Sequence, residues 1–96
     1  MKVVRVLDFA GEFAENKDAA RRIREEALRP VLESGAEVAV DFEGVGLGTQ
    51  SFIHALLSDL IRGLGPEVLD RIIFRNCNSN IRGLISIVIE YSQDSV

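Results

Sequence analysis

Val38–Leu57, VAVDFEGVGLGTQSFIHALL, decides how the rest of the chain is read. In Val38-Ala39-Val40-Asp41-Phe42 the larger apolar residues alternate, so they share one face of an extended segment. Gly44, Gly46 and Gly48 follow at every second position, a punctuation that regular elements tolerate poorly. From Ser51 onward, Ile53, Leu56, Leu57, Leu60, Ile61 and Leu64 recur at helical spacing and define one core-facing stripe. The stretch predicts a buried strand, a glycine-rich turn, and a helix whose start carries a hydroxyl, Thr49 or Ser51.

Working outward, Val3–Phe9 (VVRVLDF) is rich in β-branched residues and predicts a first strand, with Ala10–Asn16 as its turn-like exit. Asp18–Ser34 predicts the first helix, on Ala20, Ile23, Ala27 and Val31 widened by Leu28 and Leu32. Asn16 or Asp18 is its expected cap, and Gly35 its left-handed stop. Pro30 conflicts with a regular helix, because its ring clashes with the carbonyl of Glu26 and it supplies no N–H. A kink, or a stop and restart with Pro30 in a first turn, is expected there. Arg21–Glu25 and Arg22–Glu26 are expected i,i+4 pairs on the outer face, in the less favourable order and adding little.

Downstream, Gly63 and Gly65-Pro66 end the second helix, and Pro66–Leu69 forms a short extra turn. Arg71–Arg75, RIIFR, predicts a third strand covered on both faces. Asn76-Cys77-Asn78-Ser79-Asn80 is a polar loop with several candidate caps. Ile81–Gln93 satisfies both a helical and an alternating pattern; its length and the preceding caps select the helix. The sum is β-α-β-α-β-α, a small α/β sandwich with a mostly parallel sheet, read as a single domain over 1–96.

Composition narrows the function classes. A hydrophobic content of 47% supports a folded core. A net charge of -4 argues against broad nucleic-acid or anionic-membrane binding. The single cysteine, Cys77, forms no internal disulfide, and Val3–Leu7 is too short to span a bilayer. A soluble cytoplasmic protein is expected, and its oligomeric state stays open.

In V40-D41-F42-E43-G44-V45, in Q50-S51-F52 leading into the apolar helix, and in L69-D70-R71-I72-I73-F74 before the Asn76 loop, the chain resembles the STAS domains (sulphate transporter and anti-sigma factor antagonist). The closer resemblance is to the bacterial STAS-like family of unknown function, over roughly Glu25 to Tyr91. It implies a regulatory binding module without catalytic residues, metal or cofactor. In partner-switching members a kinase of histidine-kinase-like ATPase fold phosphorylates a Ser or Thr at the start of this helix. Such a kinase is therefore the implied protein partner. Anti-sigma antagonists commonly carry Asp before the acceptor serine and glycine two residues after that Asp's neighbour, in D-S-x-G; here Gln50 precedes Ser51 and Phe52 follows it.

The candidate sites each carry a plain structural alternative. Ser51 or Thr49 is a phospho-acceptor, where a phosphate meets the free amides and positive dipole of a helix start, or it is only an N-cap. Gly44, Gly46 and Gly48, with Gln50, His54 and Ser58, form a partner or ligand surface; alternatively the glycines only make a tight turn. They match neither the dinucleotide fingerprint nor a P-loop. Asp8, Asp41, Glu43 and Asn76 should cluster at the carboxyl ends of the strands, where open α/β sheets bind ligands; alternatively they are only solvated strand ends. That cluster supports the alternative function, a small-ligand or nucleotide sensor. Arg21, Arg22, Arg24 and Arg29 read as a solvated face interleaved with glutamates. Cys77 and His54 make a poor catalytic pair without an orienting partner.

Overall fold

A computed structural model of the chain describes residues 1–94. The chain opens with strand β1, Lys2–Arg5, and bends at Val6 into a single helical turn, α1, Leu7–Ala10. The expected strand therefore stops four residues before Phe9. Parity explains the stop: an extended chain would put Asp8 on the same face as Val4 and Val6, which are both buried. The turn leaves Asp8 in solvent while Leu7, Phe9 and Ala10 pack against the core. Gly11, at φ 75, ends it.

Strand β2, Phe13–Ala14, follows, then helix α2, Lys17–Arg22. Asn16 is the cap, its Oδ1 accepting from the amides of Asp18 at 2.8 Å and Ala19 at 3.2 Å. The helix widens into π turns over Ile23–Leu28 and resumes as α3, Arg29–Glu33, with Pro30 in its first turn. The wider turns, with the Arg29 amide bonded to the Arg24 carbonyl, relieve the conflict between the proline ring and the preceding carbonyls. The helix ends in a paired cap, Gly35 N–H to the Leu32 carbonyl and Ala36 N–H to that of Val31.

Strand β3, Val38–Asp41, leads through the glycine segment into β4, Leu47–Gly48, and then helix α4, Gln50–Leu64. A single 3-10 segment, Pro66–Arg71, precedes strand β5, Ile72–Arg75, and the last helix, α5, Ser79–Asp94. Asn78 caps α5 by accepting from the Ile81 amide at 2.9 Å, which resolves the ambiguous segment as helix.

The main sheet is parallel in the order β1-β3-β5, with Val4, Val40 and Phe74 aligned across it. Both crossovers step in the same direction, so their usual right hand puts all the helices on one face. Val4, Val38, Val40 and Ile72 belong to the core, whereas Val3, on the opposite face, is 44% exposed. In the third strand Ile72 is buried, and Ile73, on the face of Val3, is half-buried. A second, two-stranded parallel sheet pairs β2 with β4, Phe13 opposite Leu47 and Ala14 opposite Gly48. It replaces the plain turn expected for Ala10–Asn16 and holds the end of the glycine segment in place.

Candidate functional site

The glycine segment is bonded to its own chain at nearly every turn. Asp41 Oδ1 accepts from the Glu43 amide and from Asn76 Nδ2, each at 2.9 Å. The Gly46 and Leu47 amides both donate to the Glu12 carbonyl, and the Thr49 amide to that of Ala14. Asn80 Oδ1 accepts from the Gly48 amide at 3.0 Å, and Asn78 Nδ2 donates to the Gly46 carbonyl at 2.7 Å. Gly48 has no room for a side chain, since a Cβ there would stand 2.8 Å from Ile81 Cδ1. The Gly46, Leu47, Gly48 and Thr49 amides are therefore already donating, so Gly44 and Gly46 serve as a stitched turn that runs into β4 at Gly48. Asn78 and Asn80 do much of that stitching, and no local pattern in the sequence assigns them the task.

The strand-end cluster is only partly assembled. Asp41 and Asn76 are joined, with Glu43 beside them along the chain and exposed. Asp8 stands apart, because α1 turns it toward a hollow shared with Lys2, Arg5 and Glu26. The hydrogen bond from Asn76, and after it that from the Glu43 amide, holds the Asp41 carboxyl below its ordinary value. Asn76 reaches it from a left-handed conformation, φ 56, which asparagine tolerates better than most residues.

At the start of α4 the cap is Thr49, not Ser51: Thr49 Oγ1 accepts from the Phe52 amide at 3.1 Å. Ser51 lies two residues further in and is exposed, while Thr49 is half-buried. Ser51 shares a hollow of about 410 Å³ with Lys17, Gln50, His54 and Ala55. On the other side of His54, a groove of about 380 Å³ runs between α4 and α5. Gln50, His54, Ser58 and Arg62 line it from α4 at a strict four-residue spacing, facing Val88, Tyr91 and Ser92 of α5. Ser58 is the one residue of the expected surface that is buried, 5% exposed, at the seam between α4 and α5. It forms the floor of the groove, with no reach beyond it. Lys17 was not legible as a neighbour of Ser51, whereas Arg62 continues the Gln50-His54-Ser58 spacing by one step.

The arginines of α2 and the π segment are engaged internally. Arg21 pairs with Asp18 at 3.1 Å, so the expected Arg21–Glu25 pair does not form, while Arg22 reaches Glu26 at 3.6 Å. Arg24 bonds Glu25 at 2.7 Å, the Ala55 carbonyl at 2.6 Å, and pairs with Asp59 at 3.4 Å. Glu25 also takes Arg29 at 2.9 Å, and these bonds, Arg29 first, hold its carboxyl below the ordinary value. Cys77 is half-buried in the loop before α5, and burial pushes its thiol up. His54 opens onto the hollows of α4, and no hydrogen bond joins it to Cys77 among the described residues. Among those residues no three His, Cys, Asp or Glu side chains are grouped to hold a metal ion, and no helix is long and apolar enough to cross a membrane.

Residues 19–82 match the model of a family described as the STAS-like domain of unknown function (DUF4325). The chain belongs to that family. The family match begins in α2 and ends in the first turn of α5, so it includes the glycine segment, the whole of α4 and the asparagine stitches. It leaves out β1, α1 and β2, and hence Phe13, one half of the small sheet. Comparison with curated proteins and with solved structures gives no match.

Proposed function

We propose that this STAS-like chain is a non-enzymatic regulatory module that binds another protein through the Gly44–Ser58 surface, with Ser51 as its phosphorylation switch. The observation that carries the reading is the exposure of Ser51 in the first turn of a 15-residue helix, beside Lys17 and His54. Thr49 already serves as the cap, so a phosphate on Ser51 leaves that bond intact. The helix dipole and the first-turn amides accommodate the added charge, which is free to alter what the surface attracts. A kinase of histidine-kinase-like ATPase fold is the partner this reading names. It requires no metal, cofactor, nucleic acid or membrane, and it operates in the cytoplasm.

The test is phosphorylation by a purified kinase of that fold encoded in a neighbouring reading frame, followed by peptide mass spectrometry. One phosphate on Ser51, none on the Ser51→Ala variant, and a changed affinity of Ser51→Asp for the kinase are expected. Modification of Thr49 instead, or a Ser51→Asp protein that binds like wild type, counts against the switch. A small-ligand sensor at the strand ends is the weaker reading, because Asp41, Asn76, Asn78 and Asn80 there already bond one another or the glycine segment.

A further inference from the structure

The small sheet presents one face to the core and one to solvent. Ala14 and Gly48 point inward, the first fully buried and the second against Ile81. Their neighbours Phe13 and Leu47 therefore point outward, in register with each other and 48% and 56% exposed. Two large apolar side chains side by side make a contiguous patch, unlike the isolated exposed residues any protein carries.

The backbone beneath the patch is fixed in advance. Glu12 holds the Gly46 and Leu47 amides, and Ala14 holds that of Thr49. A partner pays little ordering entropy to use such a surface. The charge around it is one-sided. Glu12 and Glu15 flank Phe13 and are exposed, and neither has an ion-pair partner among the described residues. Lys17, the nearest cation along the chain, faces the first turn of α4 instead.

We infer that Phe13 and Leu47 are the anchor for a segment of a partner protein in which an apolar side chain is flanked by Lys or Arg. A second copy of this chain is a poor occupant, because its own Glu12 and Glu15 would meet the same acidic rim. The inference rests on the protein-binding reading above and adds to it where the partner docks and what charge it carries.

Two synthetic peptides of equal length test it, one built of Leu and Lys and the other of Leu and Glu, each titrated into the ¹⁵N-labelled chain. The Leu/Lys peptide should move the amide signals of Phe13 and Leu47, lose affinity in about 0.5 M NaCl, and outbind the Leu/Glu peptide. The surface variant Phe13→Ser with Leu47→Ser should weaken it by about tenfold at an unchanged melting temperature. The Glu12→Gln, Glu15→Gln variant should flatten the salt dependence. Shifts centred elsewhere, no binding of either peptide, or unchanged affinity in the serine variant overturns the site. Equal binding of both peptides at Phe13 and Leu47 overturns the charge assignment alone and leaves the protein-binding reading standing. Failure of Ser51 to be phosphorylated would remove the switch without touching this result.

Discussion

At the ends of β3 and β5, Asp41, Asn76, Asn78 and Asn80 bond the glycine segment and one another's loops, whereas at the start of α4 the Ser51 hydroxyl, Lys17 and His54 line an open hollow. Both regions are polar, both sit beside glycines, and both read in the sequence as places for a ligand. The difference lies in what their polar groups already do. A donor that holds the fold is unavailable to a ligand unless the ligand repays the broken bond. The comparison thus assigns stability to the first region and recognition to the second, and substitutions in each should separate along that line.

The largest effect is expected at Asn78. Its Oδ1 caps α5 and its Nδ2 holds the Gly46 carbonyl, so Asn78→Ala removes both at once. A loss of about 2 kcal/mol in urea unfolding is expected, the sum of a cap and one further hydrogen bond. A loss below about 0.5 kcal/mol would mean that the stitches are ornamental and the first region is as open as the second.

The two hydroxyls of α4 give a sharper contrast within one turn. Thr49→Ala should cost about 1 kcal/mol, the usual worth of an N-cap. Ser51→Ala should stay within about 0.5 kcal/mol, as at other exposed positions without a structural bond. Equal losses from both would place Ser51 among the structural residues.

How far the sequence foretold this arrangement varies with the length of the pattern involved. The α4 stripe and the apolar runs of β3 and β5 each repeat often enough to define a period, and they fixed the β-α-β-α-β-α order. The start of α4 stays open in the sequence between Thr49 and Ser51, because both hydroxyls are favoured caps by type, and the Phe52 amide selects Thr49. Phe52 stands three residues after Thr49, the spacing at which an N-cap side chain receives an amide. The paired strands β2 and β4 are two residues long, too short for any period, and they are defined by a partner more than thirty residues away in sequence. Ser58 misled for a related reason: a serine reads as surface, yet the approach of α5 buries it.

Acid should expose the first region's dependence on a charge. Since the Asn76 bond and then the Glu43 amide lower the folded-state value of Asp41, the ionised form contributes stability above the ordinary unfolded value of about 4. That contribution is lost as pH falls through the depressed folded value. Asp41→Asn keeps an oxygen to accept both bonds but has no proton to gain there. The stability gap between wild type and Asp41→Asn, read from urea midpoints, should therefore be widest near neutrality and close below pH about 4. A gap independent of pH would mean that the carboxylate is not engaged by Asn76 in solution.

The smallest effect belongs to the open region and has the opposite sign. Ser51→Asp adds a negative charge to the first turn of α4, where the dipole is positive and Lys17 stands nearby. It should raise stability by about 0.5 kcal/mol at low salt, and the gain should vanish in about 1 M NaCl. Ser51→Lys should lower stability by a similar amount under the same conditions, because it opposes the same field. A destabilising Asp would show that the hollow is closed to anions, and a phosphate there would then disturb the helix itself. A stabilising one means that the fold accepts the charge, so that its consequences fall on whatever binds outside.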